Sequence, residues 1–118
     1  PKSAPAGEYA AQALDKAGLY KQLEQQRKLV LAKDVRQALT YADRGEADGA
    51  FVYRTDALMA TSAVILFAVP QELYEKITYP IALTVEGAKK EQARAFHRFL
   101  TGPQALPVLR KYGFSAPQ

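Results

Sequence analysis

A continuous apolar run, LVLA at residues 29–32, leads directly into the segment KDVRQAL at residues 33–39. The run does not alternate polar and apolar residues, which is typical of a strand buried on both faces of a parallel sheet. The next segment places Val35, Ala38 and Leu39 on one face of a helix, and Asp34 precedes that helix as a capping residue. We therefore predict that a strand ends where a helix begins, and the backbone N–H groups at such a helix start favour an anion.

The same criteria predict that strands and helices alternate along the chain. Three segments have the composition of strands: residues 28–32, 47–53 and 63–69. A fourth, residues 77–85, contains Pro80 and is predicted at a sheet edge or in a crossover. Five segments have helical periodicity: residues 7–17, 34–44, 55–60, 89–101 and 104–112. The second of these helices is predicted to end at Gly45, and the third to be capped by Thr55. The helix at 89–101 is predicted to turn Ala93, Phe96, His97, Phe99 and Leu100 toward the interior. This order indicates an α/β fold, a mostly parallel sheet with helices on both faces, in which ligands bind beyond the carboxyl ends of the strands.

Composition excludes several kinds of chemistry. The 118 residues include no cysteine and a single histidine, His97, so thiolate metal sites, cysteine nucleophiles and histidine metal clusters are not expected. The carboxylates Asp43, Glu46 and Asp48 surround a predicted turn, which favours a solvated helix end over a metal site. The net charge of +4 is spread without a basic block, which disfavours nucleic acid and suits a small anion. We predict a protein that is not an enzyme and has no cofactor.

An oxyanion site is the best-supported hypothesis from the residues themselves. Helix starts near Ala6 and Val35 offer backbone donors, and Gly7 allows an anion to approach the backbone closely. Tyr53, at the end of a predicted strand, can add a phenolic O–H. Neutral donors suit an ionised oxyanion that carries no proton. The alternative for Tyr53 is a tyrosine that closes a core strand with its hydroxyl in water.

Five short motifs occur in an order that resembles a known family. They are PAGEYA at 5–10, KDVRQAL at 33–39, VYRTDA at 52–57, YPIA at 79–82, and GPQA with RKYGF at 102–105 and 110–114. Together they resemble the C-terminal portion of bacterial periplasmic molybdate-binding receptors of ABC transporters. The resemblance implies one lobe of a type II periplasmic-binding-protein fold, without the N-terminal lobe that supplies two serines to the ligand. It also implies that Ala6 and Val35 bind the oxyanion through backbone amides and Tyr53 through its hydroxyl.

The resemblance carries further expectations. Residues 1–76 would form the oxyanion-binding lobe, and residues 77–118 a crossover strand and helices that pack on the absent lobe. The chain would be a fragment with about half of a site for molybdate or tungstate, in a periplasmic protein whose partner is a membrane permease. We expect no nucleic acid partner, and no metal apart from the molybdenum or tungsten of the oxyanion itself. Self-association into a homodimer through the exposed surface of the fragment is a further expectation. Lys33 departs from the acidic residues frequent in the family and adds positive charge near the site.

Two alternatives stay open at this point. One is the effector-sensing domain of a transcription regulator, which can share this fold. The other is an oligomerising fragment that binds nothing, since half of the site would be absent. The residues do not separate molybdate from tungstate, nor do they give the oligomeric state.

Overall fold

The computed structural model describes residues 4–116 of the chain. Its α-helices are α1 (Pro5–Lys16), α2 (Tyr20–Gln25), α3 (Val35–Asp43), α4 (Arg54–Ala57), α5 (Glu91–Thr101) and α6 (Leu106–Lys111). Two short 3-10 helices lie at Gln71–Leu73 and Gly87–Lys89. The chain divides into two compact units, Pro1–Lys76 and Ile77–Gln118. The roles that the sequence analysis gives to these two parts stay predictions.

In the first unit, α1 packs against α2 and against the 3-10 helix Gln71–Leu73. Its buried residues are Ala13 and Leu14, and Ala32 is the other buried apolar residue described in this unit. One side of α1 makes three contacts with residues 72–75, because positions three and four apart share a helix face. Tyr9 meets Tyr74 edge to face, Gln12 accepts a hydrogen bond from the Glu75 N–H, and Lys16 donates to the Glu72 carbonyl.

Helix α3 confirms the helix and the Asp34 cap predicted from residues 33–39, although residues 28–32 before it have no strand assignment. Asp34 is its N-cap, with extended backbone angles, and its carboxylate accepts a hydrogen bond from the Gln37 N–H. Gly45 follows the C-cap with a φ of 70°, a left-handed conformation that glycine adopts without steric cost. The predicted end of this helix near Gly45 is therefore confirmed as well.

Helix α4 begins earlier than predicted. Its N-cap is Tyr53, whose carbonyl accepts hydrogen bonds from the N–H groups of Asp56 and Ala57. Thr55 therefore lies inside the first turn, and its prediction as the cap is wrong. A threonine was favoured because its hydroxyl can bond to the backbone, but in this helix no side chain makes the cap hydrogen bond.

The predicted sheet is not formed by residues 4–116, where no residue has a strand assignment. Among the described residues, no backbone hydrogen bond joins any two of the four segments predicted as strands or edges. Val64 and Leu66, expected in the core, are each 76% exposed. An apolar pattern is a local property, whereas a strand needs the N–H and C=O groups of another segment to pair with. The prediction of a mostly parallel sheet is therefore not confirmed.

The second unit is organised around α5. Glu91, in the first turn of α5, forms ion pairs with Arg94 and Arg98, and Arg94 also donates to the Ala88 carbonyl at 2.7 Å. The hydrogen bonds from Arg94 and Arg98 lower the pKa of Glu91 below its usual value. Phe96 and Phe99, which helical periodicity predicts on an inner face, are exposed. That prediction is wrong for these two residues because the pattern identifies an apolar face without specifying what covers it.

Candidate functional site

The start of α3 is held by two reciprocal side-chain bonds. Asp34 Oδ1 accepts from the Gln37 N–H at 2.8 Å, and Gln37 Oε1 accepts from the Lys33 N–H at 2.7 Å. The first backbone bond of the helix runs from the Ala38 N–H to the Asp34 carbonyl at 3.2 Å. The N–H groups of Val35 and Arg36 have no hydrogen-bond acceptor among residues 4–116. The cap thus satisfies the N–H groups of Lys33 and Gln37 and leaves those of Val35 and Arg36 available to a ligand.

The start of α1 reaches a similar result without a side-chain cap. Pro5 has no N–H to offer, and the N–H groups of Gly7 and Glu8 both donate to the Ala4 carbonyl, at 2.9 and 3.2 Å. In this first turn, Ala6 is the residue whose N–H has no acceptor among residues 4–116. A single backbone donor therefore remains at the positive end of a twelve-residue helix.

Tyr53 has a half-buried side chain and stands immediately before α4. The structure brings α3 and α4 into contact, so the helix that begins at Val35 packs on the helix that follows Tyr53. Ala6 lies in the same unit, on α1, which packs instead on α2 and on the 3-10 helix Gln71–Leu73. The roles of Ala6, Val35 and Tyr53 in oxyanion binding stay predictions.

Three cations lie beside the candidate donors. Lys33 and Arg36 flank the first turn of α3, and Arg54 follows Tyr53. Within residues 4–116, none of the ion pairs uses these side chains, which are all exposed. Their charge is therefore not neutralised by a paired carboxylate, and it adds to the positive end of the α3 dipole.

Asp43 makes contacts that the sequence did not predict. It was expected to belong to a solvated helix end, but its carboxylate accepts hydrogen bonds from three consecutive backbone N–H groups, those of Thr61, Ser62 and Ala63. These bonds, that of Ala63 first, lower the pKa of Asp43 from 3.8 to about 2. A sequence signal did exist, since Asp43 is the last residue of α3, where the helix dipole disfavours a negative charge.

Cavities and metal-binding groups do not suggest a different site. One open depression is lined by Ala95, Arg98, Phe99, Gly102, Pro103 and Gln104, and another by Tyr20, Glu24, Arg27, Leu29 and Leu31. Neither is lined by Ala6, Val35 or Tyr53. Across residues 4–116, no three His, Asp or Glu side chains are grouped so that they could hold a metal ion. The part of the chain that is described also lacks any helix with the length and hydropathy of a membrane span.

Comparison with known proteins places these features in a family. The family model of bacterial extracellular solute-binding proteins matches residues 1–115. The chain belongs to this family. This membership agrees with the predicted periplasmic-binding-protein fold. It does not confirm the mostly parallel sheet that was also predicted.

Individual relatives support the same assignment. The molybdate-binding protein of Escherichia coli (strain K12) is 38% identical over 115 residues, which are 98% of this chain and 44% of that protein. The molybdate-binding protein of Rhodobacter capsulatus is 38% identical over 114 residues, 97% of this chain and 44% of that protein. A Bacillus subtilis (strain 168) protein whose name describes an ABC transporter substrate-binding lipoprotein is 34% identical over 116 residues, again 98% and 44%. The resemblance drawn from the motifs is confirmed, and the chain spans less than half the length of these relatives.

Proposed function

We propose that this chain contributes part of the oxyanion site of a molybdate- or tungstate-binding protein that serves an ABC transporter. Family membership and the named molybdate-binding relatives support this function. The observation that carries it is the pair of backbone donors at Ala6 and Val35. Each lies in the first turn of a helix, of twelve residues for Ala6 and of nine for Val35, and each N–H lacks an acceptor among the described residues.

The proposed site works by hydrogen bonding alone. Molybdate is a tetrahedral dianion, and N–H and O–H donors bind its oxygens through charge-assisted hydrogen bonds. The Ala6 and Val35 amides and the Tyr53 hydroxyl would supply three such donors, and Lys33, Arg36 and Arg54 would raise the local positive potential. A site made of donors offers no acceptor to a protonated anion, so it favours fully ionised oxyanions. No bond is made or broken, so the proposed function is not enzymatic and needs no cofactor.

The partner and the compartment are part of the proposal. The ligand would be delivered to a membrane permease, and the protein would act in the periplasm. These assignments are supported by the family of extracellular solute-binding proteins and by the substrate-binding lipoprotein among the relatives. Nucleic acid is not proposed as a partner.

A substitution at Val35 can remove one backbone donor and leave the rest of the helix nearly unchanged. It is the first residue of α3, where proline is tolerated, and Asp34 before it has φ −152° and ψ 172°, the extended conformation that proline requires of its predecessor. Val35→Pro should therefore keep the helix and delete one N–H. We expect molybdate affinity to fall by about 1.5–3 kcal/mol, the usual contribution of a hydrogen bond to a charged group. Val35→Ala retains the N–H and is the matched control.

Titration calorimetry of the 118-residue chain with molybdate, and with sulfate for comparison, measures the affinity. Amide chemical shifts of a ¹⁵N-labelled sample report the same binding at Ala6 and Val35, even when it is weak. Tyr53→Phe should weaken binding by about 0.5–3 kcal/mol, whereas Tyr20→Phe, in α2, should not. A chain that gives neither heat nor amide shifts with molybdate contradicts the proposed function.

Self-association stays a separate prediction, and one observation favours it. Residues 64–67, all apolar, are exposed in the first unit. Exposed apolar patches on soluble proteins commonly mark surfaces that bind a partner. Sedimentation velocity over a range of protein concentrations tests the expected homodimer, and a sedimentation coefficient that does not change with concentration contradicts it.

A further inference from the structure

Asp43 ties the end of α3 to a segment that lies eighteen to twenty residues further along the chain. Its Oδ1 accepts from the N–H groups of Ser62 at 3.0 Å and Ala63 at 2.7 Å. The Thr61 N–H is shared between the two carboxylate oxygens, at 3.2 and 3.1 Å, and the Thr61 hydroxyl donates to Oδ2 at 3.2 Å. This set of bonds, here called the Asp43 clip, joins one carboxylate to three successive residues.

The Asp43 clip closes a compact run of turns that begins at Tyr53. The Tyr53 carbonyl accepts from Asp56 and Ala57, and α4 continues through further turns, with the Met59 N–H donating to Asp56 and the Ala60 N–H to Ala57. The next residue is Thr61, the first residue of the clip. The run from Tyr53 to Ala63 is therefore held at its far end by α3, with which α4 is also in contact.

Both ends of α3 are thereby connected to the candidate site. Val35 is the first residue of the helix and Asp43 is the last. Because a helix is a stiff element, anchoring Thr61 to its last turn limits how far α4 and Tyr53 can move relative to its first turn. Asp43 itself lies at the opposite end of a nine-residue helix from Val35, so it is not a direct ligand of an anion bound at that N–H.

We propose that Asp43 is a positioning residue for the oxyanion site, because its bonds to the N–H groups of residues 61–63 hold α4 and Tyr53 against α3. This inference rests on the proposed function. It concerns a residue that contributes no donor of its own to the ligand.

Charge and position predict opposite effects when Asp43 is changed. As a negative charge near an anion site, Asp43 repels the ligand, so removing the charge alone should strengthen molybdate binding. As a positioning residue, it should weaken binding when its acceptors are lost. Asp43→Asn is nearly isosteric, keeps one acceptor oxygen and removes the charge. We expect molybdate affinity to fall roughly threefold or more, in the range of coupling between residues that act through one another.

Asp48→Asn is the matched control, since Asp48 is exposed and the same charge is removed outside the clip. Its affinity should stay at the parent value or rise slightly. Thr61→Val removes only the hydroxyl bond of the clip and leaves the backbone N–H in place. It should lower affinity less than Asp43→Asn and in the same direction, which keeps the test valid if Asp43→Asn folds poorly.

A double-mutant cycle with Tyr53→Phe separates positioning from a general loss of stability. If Asp43 acts through the Tyr53 hydroxyl, Asp43→Asn should have little further effect on affinity in the Tyr53→Phe background. Amide hydrogen exchange of the free protein gives a reading that needs no ligand, and Asp43→Asn should speed exchange at residues 61–63 and through α4. Equal affinities of Asp43→Asn and Asp48→Asn, or additive losses in the cycle, overturn the inference and leave the proposed function intact. A parent chain that does not respond to molybdate contradicts the proposed function and removes this role with it.

Discussion

The two helices that carry the candidate backbone donors begin in different ways. The start of α3 is fixed within four residues, by Asp34 accepting from Gln37 and by Gln37 accepting from Lys33. The N-cap of α1, Ala4, makes no side-chain hydrogen bond. Helix α1 is attached instead through one side of its length to residues 72–75, more than fifty positions away in sequence.

This difference shows that equivalent donors can depend on different structural supports. Both first turns leave a backbone N–H without an acceptor among residues 4–116, at Val35 and at Ala6. The donor of α3 depends on a local cap that its own sequence specifies. The donor of α1 depends on a segment at the far end of the same unit, which must fold before α1 is held. Local changes should therefore affect α3 most, and distant changes should affect α1.

Removing the cap of α3 should have the largest effect on stability. Asp34→Ala loses the bond to the Gln37 N–H, and we expect the free energy of unfolding to fall by about 0.5–2 kcal/mol. Urea unfolding followed by circular dichroism measures the change, with Asp48→Ala as the control. Amide exchange should quicken in the first turn of α3 and stay unchanged in α1. Equal quickening in both helices contradicts the distinction between them.

A distant contact of α1 can be removed in the same way. Gln12→Ala deletes the acceptor of the Glu75 N–H, and we expect a loss of about 0.5–1.5 kcal/mol. Gln22→Ala, on α2, makes the same change of helix propensity without a bond to residues 72–75, and it serves as the control. Amide exchange of the α1 first turn should quicken in the Gln12 variant while that of α3 does not. A response confined to residues 72–75 would show that α1 is held by its own sequence.

A cap can also be added to α1 to make it resemble α3. Ala4 has the extended angles of an N-cap, φ −105° and ψ 137°, so Ala4→Asp can accept a hydrogen bond from the first turn. We expect a gain of about 0.5 kcal/mol in unfolding free energy. The added carboxylate would compete for the Ala6 N–H and repel an oxyanion, so molybdate affinity should fall. Ala4→Asn adds a neutral cap of similar shape, and it should stabilise α1 with a smaller loss of affinity.

The features predicted correctly from the sequence are those that neighbouring residues determine. Asp34 as a cap and Gly45 as a helix end depend on a few adjacent positions, and both were predicted correctly. The sheet was not, because the apolar pattern of residues 63–69 gives no partner for its backbone. The Asp43 clip was missed for the same reason, since its three partners lie in a segment with no motif of its own. Proposed site residues could be named, but the contacts that hold them depend on residues far apart in sequence.

The prediction most specific to α3 concerns the acid titration of Asp43. Hydrogen bonds from the N–H groups of residues 61–63 lower its pKa from 3.8 to about 2. Because the folded-state pKa is the lower one, the clip stabilises the fold fully above about pH 4, and this contribution is lost as the pH falls toward 2. Thermal unfolding of the parent chain and of Asp43→Asn should therefore differ most above that range, and the difference should shrink as the solution is acidified. The unfolding temperatures of the parent and Asp43→Asn could instead remain equally far apart at both ends of the range. That result would mean that the carboxylate is not held by these N–H groups. Helix α3, like α1, would then depend for its attachment on contacts other than those of a carboxylate at its end.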